Sequence, residues 1–181
     1  MHITLPSCTL RDWTGADAPS LAVRANNPDI AKWMRDGFPY PYTRDDADRF
    51  IHMATEDYPG ILLAIEVDGI ASGGIGIHPF DDIYCKTAEI GYWLSPRFHG
   101  RGIVTDAVHA LIPVAFEILD IIRIQAGVFH TNIPSMRVLE KCGFTCEAVH
   151  KQAIMKSGEM LDECMYVIFK EDFQRRKEPI I

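Results

Sequence analysis

No stretch of the chain approaches the roughly 18 consecutive apolar residues that a membrane-spanning helix needs, and its first residues carry no basic segment followed by an apolar run. A soluble, cytoplasmic protein with no membrane partner is therefore expected. Basic charge is scarce as well. Lys and Arg total 18 against 25 Asp and Glu, a formal net charge of -7. Neutralising nucleic-acid phosphates takes a basic face, so nucleic acid is excluded as the main partner, whereas a cationic amine suits such a surface. Cysteine is sparse and unpaired in pattern, with five residues scattered at Cys8, Cys85, Cys142, Cys146 and Cys164. Cys142 and Cys146 lie too far apart for a redox Cys-x-x-Cys, and no histidine pair completes a zinc site. Reduced thiols packed as small hydrophobes, and no metal, are expected. Internal repeats and low-complexity tracts are absent. No Gly-Lys-Ser/Thr follows the glycines, which removes a nucleotide-phosphate loop of that type.

What is present is enough for one folded domain over 1–181: the composition is 48% hydrophobic, sufficient for a core at this length. Ile3 to Trp13 reads as an opening strand, followed by helical sequence from about Ala18 and a short helix over Asp29 to Arg35. Gly37 to Thr43 carries two prolines among aromatics and cannot be regular structure. It is either a rigid wall for a substrate or a cover for the edge of the core. Thr43 can cap a helix from Arg44 to about Glu56. Gly60 to Val67 and Ile70 to Ile77 are joined by Asp68-Gly69, a strong hairpin signal. Thr87 to Leu94 alternates as a strand, and a helix follows from Gly102 to about Leu119 with Val104, Val108, Leu111, Ala115 and Ile118 on one face. Ile121 to Phe129, Thr145 to Ala153 and Glu163 to Phe169 read as the remaining strands, with a turn at Ser157-Gly158-Glu159. This order predicts an α+β sheet with helices on both faces.

Between the strand ending at Leu94 and the helix that follows lies Arg97-x-x-Gly100-x-Gly102. Glycines let N–H groups turn inward, the helix start adds partial positive charge, and Arg97, His99 and Arg101 bring donors. The segment reads as an anion-binding strand-loop-helix. A second segment, Asn132-Ile-Pro-Ser135-Met-Arg137-Val-Leu-Glu-Lys141-Cys-Gly143-Phe144, reads as a short helix. Asn132 suits its N-cap, Pro134 its first turn and Gly143 its end.

These two segments together resemble the two cofactor motifs of the GNAT superfamily of acyl-CoA-dependent N-acetyltransferases. Arg24-Ala-Asn-Asn-Pro28, Asp36 to Thr43 and Asp46-Ala47 resemble the branch that acetylates ribosomal-protein N-termini. The resemblance implies a mixed, largely antiparallel central sheet with a splayed strand pair, and acetyl-CoA as co-substrate. It places Arg97, His99, Gly100, Arg101, Gly102 and Ile103 on the pyrophosphate, and Leu94 on the thioester through its main-chain N–H. It further implies Asn132 on the pantetheine arm, Arg137 on a phosphate, Ser135 as proton donor to the departing thiolate and Glu89 as base for the amine. Serine in a first helical turn is equally a capping residue, and a strand glutamate can simply face solvent.

The expected activity is direct acetyl transfer to a primary amine in a ternary complex, with a protein N-terminal α-amino group favoured. A polyamine or aminoglycoside-type acceptor is the alternative, and a non-catalytic acyl-CoA-binding module a third reading. A monomer or a homodimer fits either. His78, His109, His130 and His150 read as packed or solvated, without a positioned acid partner.

Overall fold

The computed structural model describes residues 1–56 and 58–175. Its strands are β1 (His2–Thr4), β2 (Thr9–Asp12), β3 (Ile61–Val67), β4 (Ile70–Pro79), β5 (Thr87–Leu94), β6 (Arg123–Phe129), β7 (Thr145–Lys156) and β8 (Glu159–Phe169). Its helices are α1 (Ala18–Ala25), α2 (Pro28–Ala31), α3 (Arg44–Thr55), α4 (Ile103–Ile118), α5 (Ile133–Lys141) and α6 (Lys170–Arg175). The pairing is largely antiparallel, with one parallel pair, and the class is α+β. No helix among the described residues is long and apolar enough to cross a membrane. By contact density the chain forms two compact units, Met1–Gly76 with Gly91–Ala110, and Ile77–Ile90 with the residues from Leu111 onward.

In the first unit the hydrogen-bonded order is β1-β2-β3-β4-β5. The opening segment is two strands rather than one. Pro6 and Ser7 turn the chain, Leu5 N–H bonds the Cys8 carbonyl at 2.9 Å, and β1 folds back on β2 in the register His2↔Arg11 to Thr4↔Thr9. Asp68 and Gly69 both take positive φ, 53° and 76°, the conformation that a tight hairpin between twisted strands demands. Thr43 caps α3 by accepting from the Asp46 N–H, and Asp46 closes the capping box. The core here is Trp13, Leu21, Tyr42, Ile51 and small residues from α1, α3, β3 and β4, with Phe38, Phe50 and Trp93 packed against it.

In the second unit the order is β5-β6-β8-β7. Parallel strands need a crossover, which α4 supplies between β5 and β6. The parallel ladder runs Thr87↔Arg123, Ala88↔Ile124 and Glu89↔Gln125 and ends there, although β6 stays paired to β8 as far as Phe129↔Glu163. The last hairpin is longer than its sequence pattern indicates: Ser157 (φ 52°) and Gly158 (φ 84°) form the turn, and Glu159 already pairs with Lys156. The strand expected from Glu163 therefore begins at Glu159. The apolar face of α4 holds Ile103, Ala107, Val108, Leu111, Ile112, Ala115 and Phe116, while Ile118 is 54% exposed. By helical period Ile118 still lies on the side of Ala107 and Leu111, but as the last residue of α4 it stands at the end of the packed face.

Candidate active site

The glycine loop is held by its own backbone. Ser95 N–H donates to the Ser72 carbonyl at 2.9 Å, which docks the end of β5 on β4. Residues 96–98 then form one 3-10 turn, with Phe98 N–H bonded to the Ser95 carbonyl (2.9 Å) and His99 N–H to the Pro96 carbonyl (3.1 Å). His99 folds back so that Nε2–H donates to the Leu94 carbonyl at 2.8 Å. That bond fixes the tautomer and ties the loop to the strand, so only Nδ1 is left to meet a ligand.

Gly100 and Gly102 take φ of 74° and 77°, and a Cβ at either would meet nothing within 4 Å. A side chain there is opposed by backbone strain and not by protein. Among the described residues, the main-chain N–H groups of Gly100, Arg101 and Gly102 donate to no protein acceptor. Three successive donors without a protein acceptor at the start of α4, beside exposed Arg97 and Arg101, are the kind of arrangement that can bind an anion. Ile103 anchors the helix start at 2% exposed.

β4 is shaped to receive the end of β5. A Cβ on Gly73 would lie 2.5 Å from the Trp93 carbonyl oxygen, and one on Gly74 2.9 Å from Trp93 Nε1. The aromatic loop lies on this side: Phe38 packs on Tyr42 at 5.0 Å and on Trp93 at 6.0 Å between centroids. Burial, reinforced by Asp46, pushes the Tyr42 hydroxyl up to about 12, so it stays a neutral phenol and cannot accept a proton. Tyr40 is exposed. Trp13 Nε1 is buried without a hydrogen-bond partner.

In the second unit Glu89 sits at the last pair of the parallel ladder, half-buried. Asn132 caps α5, its Oδ1 accepting the Ser135 N–H at 3.3 Å, and Gly143 (φ 92°) ends the helix with Phe144 N–H bonded to the Leu139 carbonyl at 3.0 Å. The Asn132 oxygen is thus committed to the helix, and its amide nitrogen is the group left for a ligand. Ser135 and Arg137 occupy the first two turns of α5. The loop residues Leu94 to Ile103 are brought together; Glu89, Asn132, Ser135 and Arg137 are placed on β5 and α5, each on its own element.

Two residues escaped the sequence reading. Arg24, in the last turn of α1, has its guanidinium 5.7 Å from the Phe98 ring centroid. Glu163 folds over Gly127, where a Cβ would lie 2.4 Å from its Oε1, and its other oxygen meets His150 Nδ1 at 3.1 Å. His150 thus has the acid partner not expected of it. Neither contact has a signal in local spacing, because strand register and helix docking create both. The cysteines divide likewise: Cys8 and Cys142 are buried, but Cys85 and Cys146 are exposed. Packing as small hydrophobes therefore describes only the first two.

Residues 8–145 match the acetyltransferase (GNAT) domain family. The chain is 31% identical over 153 residues, 84% of its length and 78% of the relative's, to a protein of Bacillus subtilis (strain 168) described as "Putative ribosomal N-acetyltransferase YdaF". It is 27% identical over 177 residues, 96% of its length and 99% of the relative's, to "Uncharacterized N-acetyltransferase YnaD" of the same organism. Among solved structures, the microcin C7 self-immunity acetyltransferase MccE in complex with acetyl-CoA and AMP superposes with a TM-score of 0.79 and 28% identity, covering 91% of this chain and 93% of that one. With a family match over residues 8–145 and these relatives, the chain belongs to the GNAT acetyltransferase family and is an acetyl-CoA-dependent N-acetyltransferase.

Proposed function

We propose that the protein, acting as a single domain, acetylates a protein N-terminal α-amino group by direct transfer from acetyl-CoA in a ternary complex. The observation that carries the acceptor class is the similarity to a relative described as a ribosomal N-acetyltransferase over 84% of the chain. Small-molecule amines are the second reading, favoured by 23% identity over 148 residues to a relative of Escherichia coli (strain K12) described as "Spermidine N(1)-acetyltransferase".

The chemistry assigns each residue a task. An α-amino group titrates near about 8, so the acceptor must lose a proton before its lone pair can attack. Glu89 takes that proton. The amine nitrogen bonds the thioester carbon, and the carbonyl oxygen, gaining charge, is met by the Leu94 N–H. Collapse breaks the C–S bond, Ser135 gives the departing thiolate its proton, and the second proton shed by the acylated nitrogen restores the Ser135 hydroxyl. The cradle of Arg97, His99 (through Nδ1), Gly100, Arg101, Gly102 and Ile103 holds the pyrophosphate, the Asn132 amide nitrogen bonds the pantetheine arm and Arg137 reaches a phosphate. No metal is needed.

Glu89→Gln is expected to lower kcat by about a hundredfold or more, with the loss greatest at low pH, where the amine is most protonated. An unchanged kcat across the pH profile would remove Glu89 from the mechanism and turn attention to Glu163. The acceptor is tested by acetyl-CoA-dependent thiol release with peptides beginning Ser, Ala or Thr, each against its N-blocked twin, and with a polyamine mixture. Release with free peptides alone supports the N-terminal reading; release with polyamines alone overturns it.

A further inference from the structure

Three guanidinium groups gather around one ring. Arg97, Arg101 and Arg24 lie 5.8, 5.5 and 5.7 Å from the Phe98 centroid, so no two are separated by more than about twice that reach. Phe98 itself is 5% exposed and held by its bond to the Ser95 carbonyl. A phenyl ring has two faces, and a third cation beside it gains little while repelling the other two.

Five other arginines are placed differently. Arg11, Arg44, Arg49, Arg123 and Arg175 each hold a carboxylate. Among the described residues, Arg24, Arg97 and Arg101 form no salt bridge, in a chain with more acids than bases. The nearby Asp29 is engaged by Lys32, which holds its carboxyl below the usual range. Arg24 is half-buried, unlike its two exposed neighbours, so its position is set by α1. Three cations fixed around one ring, next to three successive unbonded N–H groups, are complementary to an anion carrying several phosphates.

We infer that Arg24 is a further phosphate ligand of the acyl-CoA, reaching from the end of α1 to the anion held by the Arg97–Gly102 loop. The inference rests on the reading of that loop as the cofactor's phosphate cradle. It also joins the cofactor to the acceptor side: two residues on, Asn26 Oδ1 accepts the Tyr42 N–H at 3.1 Å, and Tyr42 packs on Phe38.

The test is calorimetric titration of acetyl-CoA and of acetyl-dephospho-CoA, which lacks the 3′-phosphate, into wild type, Arg24→Gln, Arg24→Lys and Arg101→Gln. Transfer rates with S-acetylpantetheine, which has no phosphate, and unfolding midpoints without ligand complete it. Arg24→Gln is expected to weaken acetyl-CoA about tenfold, Arg24→Lys to recover part of that, and the midpoint and the rate with S-acetylpantetheine to stay at wild-type values. A loss that persists with the dephospho donor assigns Arg24 to the pyrophosphate; one that vanishes assigns it to the 3′-phosphate. Wild-type affinity in Arg24→Gln beside weakened Arg101→Gln overturns the inference and leaves the loop reading standing. An equal loss with S-acetylpantetheine also overturns it, by showing a structural role. No effect of either variant overturns both.

Discussion

Arg11 and Arg101 belong to the same unit and stand in opposite settings. Arg11 on β2 grips Asp17 through two bonds of 2.8 and 2.7 Å and Glu66 on β3 through Nε at 2.5 Å, with its side chain 18% exposed and that of Asp17 8%. Burial alone would raise the Asp17 carboxyl, but Arg11 and the Thr14 N–H outweigh it and hold it below the usual range. Arg101, with Arg97 and Arg24, meets an aromatic ring and no carboxylate among the described residues. One arginine is consumed in closing the turn before α1; the others have no carboxylate among the described residues. Satisfied charge goes with structure here, and unsatisfied charge of one sign is what the proposed phosphate site calls for.

That contrast predicts a separation of effects. Arg11→Ala strands a largely buried carboxylate and is expected to cost about 3 kcal/mol of stability in urea unfolding, with acetyl-CoA affinity of the folded protein unchanged. Arg101→Gln is expected to reverse the pattern, weakening acetyl-CoA about tenfold while the urea midpoint stays put. If both variants lose stability equally, the distinction between the two settings fails. Salt sharpens it further: acetyl-CoA affinity should fall several-fold between about 0.05 and 0.5 M NaCl, whereas the stability difference between Arg11→Ala and wild type should barely move. The smallest effect is acid-dependent. A depressed carboxyl contributes stability above its unfolded pKa of about 3.9 and loses it as pH falls through the lower folded value. The stability gap between wild type and Asp17→Asn should therefore be level from neutral pH to about 4 and close below it. A gap that closes near neutral pH would point to another group.

What the sequence made legible was local. The Asp68-Gly69 hairpin, the Thr43 cap, β5 from Thr87 to Leu94 and the Asn132-to-Gly143 helix follow from residues whose φ preference or capping oxygen acts within a few positions. The division of β1 from β2 was missed because alternation alone passes through Pro6-Ser7, although proline there ends pairing. The early start of β8 was missed because Glu159 to Asp162 becomes a strand through its partners on β7, not through its own apolar content. In the candidate site, the glycine loop between β5 and α4 was visible as a motif. Arg24 and Glu163 were not, since α1 docking and the bare face of Gly127 bring them where they are.

Acetyl-CoA titration of wild type against Gly100→Val tests the cradle most directly. Valine at a φ of 74° strains the loop backbone and puts a side chain into space that no protein atom fills, which in the proposed complex is the space of the phosphates. The account predicts a loss of about tenfold or more in affinity with cooperative unfolding retained. Equal affinity in a folded Gly100→Val protein would contradict it.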